Sequence, residues 1–343
     1  MGNKIRPRIT PEEYEVVVEY RKQHQALIDE CNTSGVPHSD VKHYWFKSEK
    51  FSMFVGNKGK DYLQLRDETI SEMKKYSPNY PTIKYPKYKD AHLLVIDPAD
   101  IHIGKLCKAI ETGDEYNEKI AVNRIREGVN GILSKVISFN VDEILLIIGN
   151  DILHVDTPKS QTTAGTFQDS SVMWYEAFTI AKQIYIETIE KLMQIAPVRV
   201  QYDPSNHDYT NGFFLADTLN SWFSKSKNVT FNVTPAHRKY FKYHSNLIGT
   251  THGDGAKLND LPLLMAQEAA EHWAGCKHRY FFTHHIHHKS SKDIGSVCIE
   301  SLRSASGTDS WHHRNGYAHS PKAIEGFLHH KNHGQIARIQ HIF

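Results

Sequence analysis

His92-Leu93-Leu94-Val95-Ile96-Asp97-Pro98-Ala99-Asp100-Ile101-His102 is the stretch on which the reading of the fold turns. Its short apolar run, closed by Asp and Pro, is the mark of a buried strand. It leads at once into an Asp-x-His pair. A helix-like stretch over 118–139 separates it from a second apolar run, Glu143 to Ile148, which ends Gly149-Asn150-Asp151. A longer helical stretch over 171–195 precedes a third run, Val198 to Tyr202. Strands alternating with helices imply an α/β core. Beyond Phe231 the strand-like segments shorten and crowd, at 239–243, 247–251, 278–283 and 296–299. That pattern suggests a second sheet with more antiparallel pairing.

Ligand-type residues follow nearly every one of these strands. They are Asp100-Ile101-His102, Asp151 with His154 beyond it, Asn206-His207-Asp208, His252-Gly253-Asp254, and His285-Ile286-His287. The carboxyl ends of strands in an open α/β sheet converge on one crevice, so clusters distant in sequence can meet in space. Carboxylates and neutral imidazoles bind Mn, Fe or Zn, and a shared carboxylate bridges two ions. Alternation along an extended chain would put Asp100 and His102 on one side, and likewise His285 and His287. Two Asp, one Asn and four His make seven protein ligands, leaving positions for water and substrate.

The ordered motifs resemble those of the calcineurin-like metallophosphoesterases: D-x-H, G-D, G-N-H-[DE], G-H and G-H-x-H. Here they read 99–104 Ala-Asp-Ile-His-Ile-Gly, 149–151 Gly-Asn-Asp, 205–208 Ser-Asn-His-Asp, 251–254 Thr-His-Gly-Asp and 284–287 His-His-Ile-His. The resemblance spans about residues 90 to 330, and within the family it is nearest to phage-encoded members of exonuclease- or polymerase-small-subunit-like type. It implies that Asp100, His102 and His287 hold a first metal, that Asn206, His252 and His285 hold a second, and that Asp151 bridges them. His207 would be the catalytic histidine, contacting the scissile phosphate and donating a proton to the leaving oxygen, with Asp208 orienting it. The implied mechanism is in-line attack by a metal-bridging hydroxide between two cations roughly 3.5–4 Å apart. Two divalent ions are expected, manganese first, with iron or zinc as alternatives. Ser205 and His284 replace glycines of the family pattern, and Asn150 is inserted before Asp151. His284 and His288 leave the register of the last motif open.

Composition bounds the rest. The 343 residues carry 41 Lys+Arg, 39 Asp+Glu and 23 His, with 39% hydrophobic and 23% charged residues. That is enough apolar material for a core and too little charge for disorder. No stretch reaches the roughly 18–20 consecutive apolar residues of a membrane span, and the charged start, Met1 to Arg8, does not read as a secretory signal. Cys31, Cys107, Cys276 and Cys298 form no CxxC pair, which suits a reduced, cytoplasmic protein. For a phage-encoded protein that means the host cytoplasm. The histidines are uneven, fifteen from His244 onward and three before residue 90, which raises the metal question without answering it.

Ahead of the α/β region, a small, mostly helical N-terminal domain with its linker is expected over 1–85, and the catalytic domain over 90–343. Thr10-Pro11 with Glu13 reads as a helix start, running to about residue 32. Asn32 to Gly35 breaks it. A second short helix over 36–47, begun at Ser39, would make either a helix-turn-helix or a plain αα-hairpin, the plain hairpin weighing more. A third helix is expected over 61–75, then a Pro/Tyr/Lys-rich spacer over 76–87. Residues 1–90 hold 16 basic against 13 acidic side chains, so the chain's basic excess lies there.

His92, His237, His244, His272 and His278 read as surface or packing residues. His312, His313 and His319 read as loop residues near the cleft. In the insert over 156–171, Lys159, Thr166 and Asp169 are candidates to touch substrate, on a par with a solvated loop. The fold expected is a four-layer αββα metallophosphoesterase sandwich behind the N-terminal domain. The function expected is a metal-dependent phosphodiesterase or nuclease with DNA as substrate and no membrane partner. The alternatives are a phosphatase or cyclic-nucleotide phosphodiesterase, and a non-catalytic nucleic-acid-binding subunit.

Overall fold

Pro11 opens helix α1 (Pro11–Ser34), where its fixed φ suits a first turn and its missing N–H leaves no ladder bond unmade. Gly35, at φ 68°, ends the helix in the left-handed region that glycine enters freely. Next comes a hairpin, not the second helix expected over 36–47: β1 (His43–Lys47) pairs antiparallel with β2 (Ser52–Gly56). The backbone register sets Tyr44 opposite Val55 and Trp45 opposite Phe54, and aromatic and β-branched residue types favour strands. The helix-turn-helix reading is thereby overturned. The computed structural model describes residues 11–35, 37, 41, 43–47, 52–56, 71, 77–317 and 320–343. The third helix expected over 61–75 lies outside them, apart from helical Ser71.

The chain divides into two compact units, Met1–Glu72 and Met73–Phe343. The Tyr/Pro-rich connector belongs to the second and is no solvated spacer. Tyr80 stacks on Phe223 at 5.1 Å and donates to Glu190 at 2.7 Å, Tyr85 donates to the Met193 carbonyl, and Asn228 bonds both the N–H and the C=O of Ile83.

In that unit follow β3 (His92–Asp97), α2 (Ala109–Thr112), α3 (Glu118–Lys135), β4 (Val141–Gly149), α4 (Trp174–Leu192), β5 (Val198–Asp203), α5 (Tyr209–Trp222) and β6 (Val229–Asn232). Next come β7 (Lys239–Tyr243), β8 (Asn246–Thr251), α6 (Leu261–Glu268), α7 (Ala270–Trp273), β9 (His278–Thr283), β10 (Ser290–Ile294) and β11 (Val297–Ser301). The unit closes with α8 (Ser310–Arg314), β12 (Ala323–His330) and β13 (Gly334–Ile342). A six-stranded sheet runs β13-β12-β3-β4-β5-β6, with β3 to β6 parallel. A five-stranded sheet runs β10-β11-β9-β8-β7. Its centre, β8, β9 and β11, is parallel, so antiparallel pairing is confined to its edges.

The unbroken apolar runs divide by parity. Leu94, Ile96, Leu146 and Ile148 pack towards Ile125, Val129, Ala181 and Leu215 of the helices. Their neighbours Leu93, Val95, Leu145 and Ile147 meet Phe241, Ile248 and Phe282 of the second sheet. The far face of that sheet is covered by Leu261, Met265 and Ala269. The result is the four-layer αββα order expected.

Candidate metal centre

Five loops leave the carboxyl ends of β3, β4, β5, β8 and β9, and each carries one of the clusters. Their backbone is not extended. Asp100, His102, Asp151, His285 and His287 have φ of 48°, 50°, 59°, 70° and 57°. The shared direction of each Asp-x-His or His-x-His pair therefore comes from two left-handed residues, not from strand alternation. Each such residue costs roughly 1–3 kcal/mol and persists only where its surroundings hold it. Here the loops hold one another: Asp100 N–H donates to Asn150 O at 2.9 Å, His102 N–H to Asp151 O at 2.9 Å, and His284 N–H to His252 O at 2.8 Å. At Gly149, φ 95°, a Cβ would stand 1.9 Å from Asp203 O, so only glycine lets β4 and β5 end this close together.

The side chains expected as ligands converge. One ligand atom each from Asp100, His102 and His287 lie within 4.8 Å of one another, as do those of Asp151, His252 and His285. Asp151 Oδ2 stands between the two groups, 3.8 Å from His102 Nε2 and 3.3 Å from His252 Nε2. Asn206 Oδ1 is 2.9 Å from His252 Nε2. Asp100 is buried with no hydrogen bond to either carboxylate oxygen, His287 Nε2 standing 3.4 Å from its Oδ1, and His102 Nε2 likewise makes no hydrogen bond.

Burial acts to raise the pKa of Asp151, but His252 and His207 outweigh it and hold the carboxyl well below the usual range. Burial also opposes charge on His252, yet Asp151 and Asp100 push it up to about 9. At His102, burial, then His207 and Lys105, drives the imidazole well below its ordinary value. Burial similarly lowers His285 and His287. Neutral imidazoles beside ionised carboxylates are the donor set a divalent cation requires, and at His252 the ion would displace a proton.

His207 reaches the same place, its ring centroid 4.6 Å from that of His102. Its Nδ1 donates to the His154 carbonyl at 2.9 Å, which leaves Nε2 as the nitrogen available to a ligand. The expected orienting role of Asp208 is corrected here. Its carboxylate accepts from Leu153 N–H at 2.8 Å and Ser205 Oγ–H at 2.6 Å, bracing two loops instead of turning the His207 ring. Ser205, which departs from the family's glycine, accepts from Asp151 N–H at 2.8 Å through the same oxygen. The register of the last motif is also resolved. His284 is engaged at both nitrogens, by Asp97 Oδ2 and Thr251 O, each at 2.9 Å, while His288 bonds the Ile286 carbonyl.

Several residues to which the motifs assign no role sit at the site. His154 forms a third close group with His102 and His207. Lys105 is buried and pairs with Asp309 at 2.8 Å, and Asp309 also accepts from His312 Nδ1 at 2.7 Å. His312 stacks on His287 at 4.9 Å, so the C-terminal loop histidine abuts the centre. A cleft of about 620 Å³ opens over these groups, its lining drawn from the insert and from Asp309 to Arg314 as well. Thr166 and Asp169 line it, and Lys159 is not among its lining residues.

No protein-family model matches the chain, and no curated protein matches it in sequence. Solved structures do resemble it. An archaeal phosphodiesterase is 9% identical, covering 74% of this chain and 99% of its own, at a TM-score of 0.35. A predicted phosphoesterase of Streptococcus pneumoniae TIGR4 is 12% identical, covering 74% and 97%, at 0.28. Zinc-complexed Vps29 of Entamoeba histolytica is 12% identical, covering 73% and 98%, at 0.29. Likeness at this level adds nothing to the chemistry, which rests on the side chains themselves. Among the described residues no helix is long and apolar enough to cross a membrane.

Proposed function

We propose that this protein is a divalent-metal-dependent phosphoesterase that hydrolyses phosphodiester bonds of nucleic acid, DNA foremost. The observation that carries the reading is the convergence of seven ligand-type side chains, with Asp151 shared between two groups. The donor set fits a metal: Asp100 is a buried carboxylate without hydrogen bonds, with only the His287 imidazole beside it at 3.4 Å, and such a group is costly unless a cation compensates it. Asp100, His102, His287 and Asp151 would hold one ion, and Asp151, Asn206, His252 and His285 a second. Bound divalent ions supply an acidified water and charge neutralisation on the phosphoryl group. Manganese is the ion proposed, with iron or zinc as alternatives.

The chain's own groups do the remaining work. His207, with Nδ1 tied to the His154 carbonyl, presents Nε2 to hold a phosphoryl oxygen and pass a proton to the leaving oxygen. Asp208 and Ser205 keep the Asp151 and His207 loops in register. The cleft is open and lined by histidines, Lys105 and Arg314, a surface for an extended anion.

The test is hydrolysis by purified protein, with Mn²⁺ or with chelator, of single- and double-stranded DNA, RNA, cyclic nucleotides, phosphomonoesters and a chromogenic phosphodiester. Metal-dependent cleavage of DNA is expected, with Asp151→Asn and His207→Ala each losing at least about 100-fold in turnover. Cleavage of small monoesters alone would defeat the nucleic-acid reading, and wild-type turnover in either variant would defeat the site.

A further inference from the structure

From the metal centre a row of rings runs outward along the C-terminal wall of the cleft. His312 stacks on His287 with centroids 4.9 Å apart and planes 11° from parallel. Trp311 lies edge-on to His312 at 5.1 Å, and Tyr317 stacks on Trp311 at 5.9 Å and 22°. The row is anchored from beneath, where Asp309 holds His312 Nδ1 and is itself held by buried Lys105. The insert contributes Phe167 to the lining of the same cleft. Both outer rings are exposed for their size, Trp311 at 61% and Phe167 at 73%, in a cleft that is otherwise polar and histidine-rich.

Two large aromatics left in water in a charged cleft are unexplained by packing, because neither contributes to the core. Their neighbours argue against an apolar partner: exposed Arg314 stands three residues beyond Trp311, and Lys105 and His207 share the lining. A ligand with a flat π-face joined to an anion satisfies both features. A nucleotide is such a ligand, and a base joined through its sugar to a phosphate at His287 reaches the Trp311 ring.

We infer that Trp311, backed by Tyr317 and sharing its cleft with exposed Phe167, is a nucleobase-stacking clamp that makes the cleft selective for single-stranded nucleic acid. The inference rests on the phosphodiesterase reading and names the substrate form it takes. A paired base is already stacked within its duplex, so the clamp can engage only a base freed from it. Base–aromatic stacking tolerates any base, so the clamp confers strand form and not sequence.

The experiment compares a single-stranded oligonucleotide with one carrying an abasic tetrahydrofuran residue beside the cleavage site. Both kcat/KM and the affinity of the Asp151→Asn protein, by fluorescence anisotropy, are read. Wild type is expected to favour the intact strand by roughly 10-fold, and to favour single strand over duplex. Trp311→Ala should collapse the intact-to-abasic ratio towards one, while Trp311→Phe, which keeps a ring, should retain most of it. A ratio unchanged in Trp311→Ala, or equal losses on both strands, would overturn the clamp. If wild type cleaves only a chromogenic diester, the nucleic-acid reading fails. If it cleaves nothing, the phosphoesterase reading fails, and the binding ratio still decides the clamp.

Discussion

Replacing Asp208 by Ala separates a structural brace from a partner of the catalytic histidine. The carboxylate is buried and accepts two hydrogen bonds, from Leu153 N–H at 2.8 Å and Ser205 Oγ–H at 2.6 Å. The Ser205 hydroxyl can turn to another acceptor, but the Leu153 amide cannot. An orphaned buried donor costs about 1–3 kcal/mol and a lost hydrogen bond about 1 kcal/mol more, so Asp208→Ala should lose roughly 2–4 kcal/mol. In thermal melts that is a drop of roughly 5–15 °C. Asp208→Asn should lose less than about 1 kcal/mol, since its Oδ1 can face Leu153 while its Nδ2 donates to Ser205. Burial, then the charge of Asp151, pushes Asp208 up to about 7, so a neutral side chain is tolerated there. Urea unfolding of the two variants and of Ser205→Ala, with metal content measured in each, gives the answer. In the double variant the losses should add to less than their sum, since both residues serve one network. An Ala variant within about 0.5 kcal/mol of wild type would refute the brace, as would full stability and metal content with lost turnover.

Three further expectations follow from residues around the site and the core. His284→Ala should destabilise by about 3–5 kcal/mol, because it strands buried Asp97, whereas His285→Ala should cost metal occupancy and little stability; equal metal loss in both would contradict the register. His329 is buried with neither ring nitrogen partnered, and burial pushes it down to about 3. Below its unfolded value of about 6.5 the unfolded chain binds the extra proton, so stability falls as pH is lowered, by about 2 kcal/mol at pH 5 and about 4 kcal/mol near pH 3; His329→Leu should flatten that part of the acid-denaturation curve. A chain begun at Met73 should melt well above one begun at Tyr88, since only the longer keeps Tyr80 and Tyr85 docked, and equal melting temperatures would argue that the connector is a spacer after all.

Much of the αββα unit was legible because its strands are buried on both faces and read as unbroken apolar runs. Strand β12 was not. Glu325, His329 and His330 break its pattern, and Glu325 is acceptable in the interior only because Arg338 and Arg303 reach it at 2.6 and 3.1 Å from β13 and the loop after β11. The N-terminal hairpin was missed for the opposite reason. Tyr44-Trp45-Phe46 suits either element, and the sequence of that segment does not show the antiparallel partner strand, Ser52–Gly56, with which it pairs.

The ligand types and their order are properties of the sequence alone, because coordination chemistry narrows a buried donor set to Asp, Asn and His, and strand ends recur in chain order. How those residues aim is a tertiary matter. Five of them sit at left-handed φ, held by hydrogen bonds between loops tens of residues apart. Asp208 and His284 show the same division. Each sits in a motif that suggests direct chemistry, and each proved to be a buried support, because a partner that engages its side chain, Leu153 for one and Asp97 for the other, lies far away along the chain. The ring row from His287 to Trp311 is likewise invisible in sequence, since it depends on the last loop folding back over a centre whose first ligand stands some two hundred residues earlier.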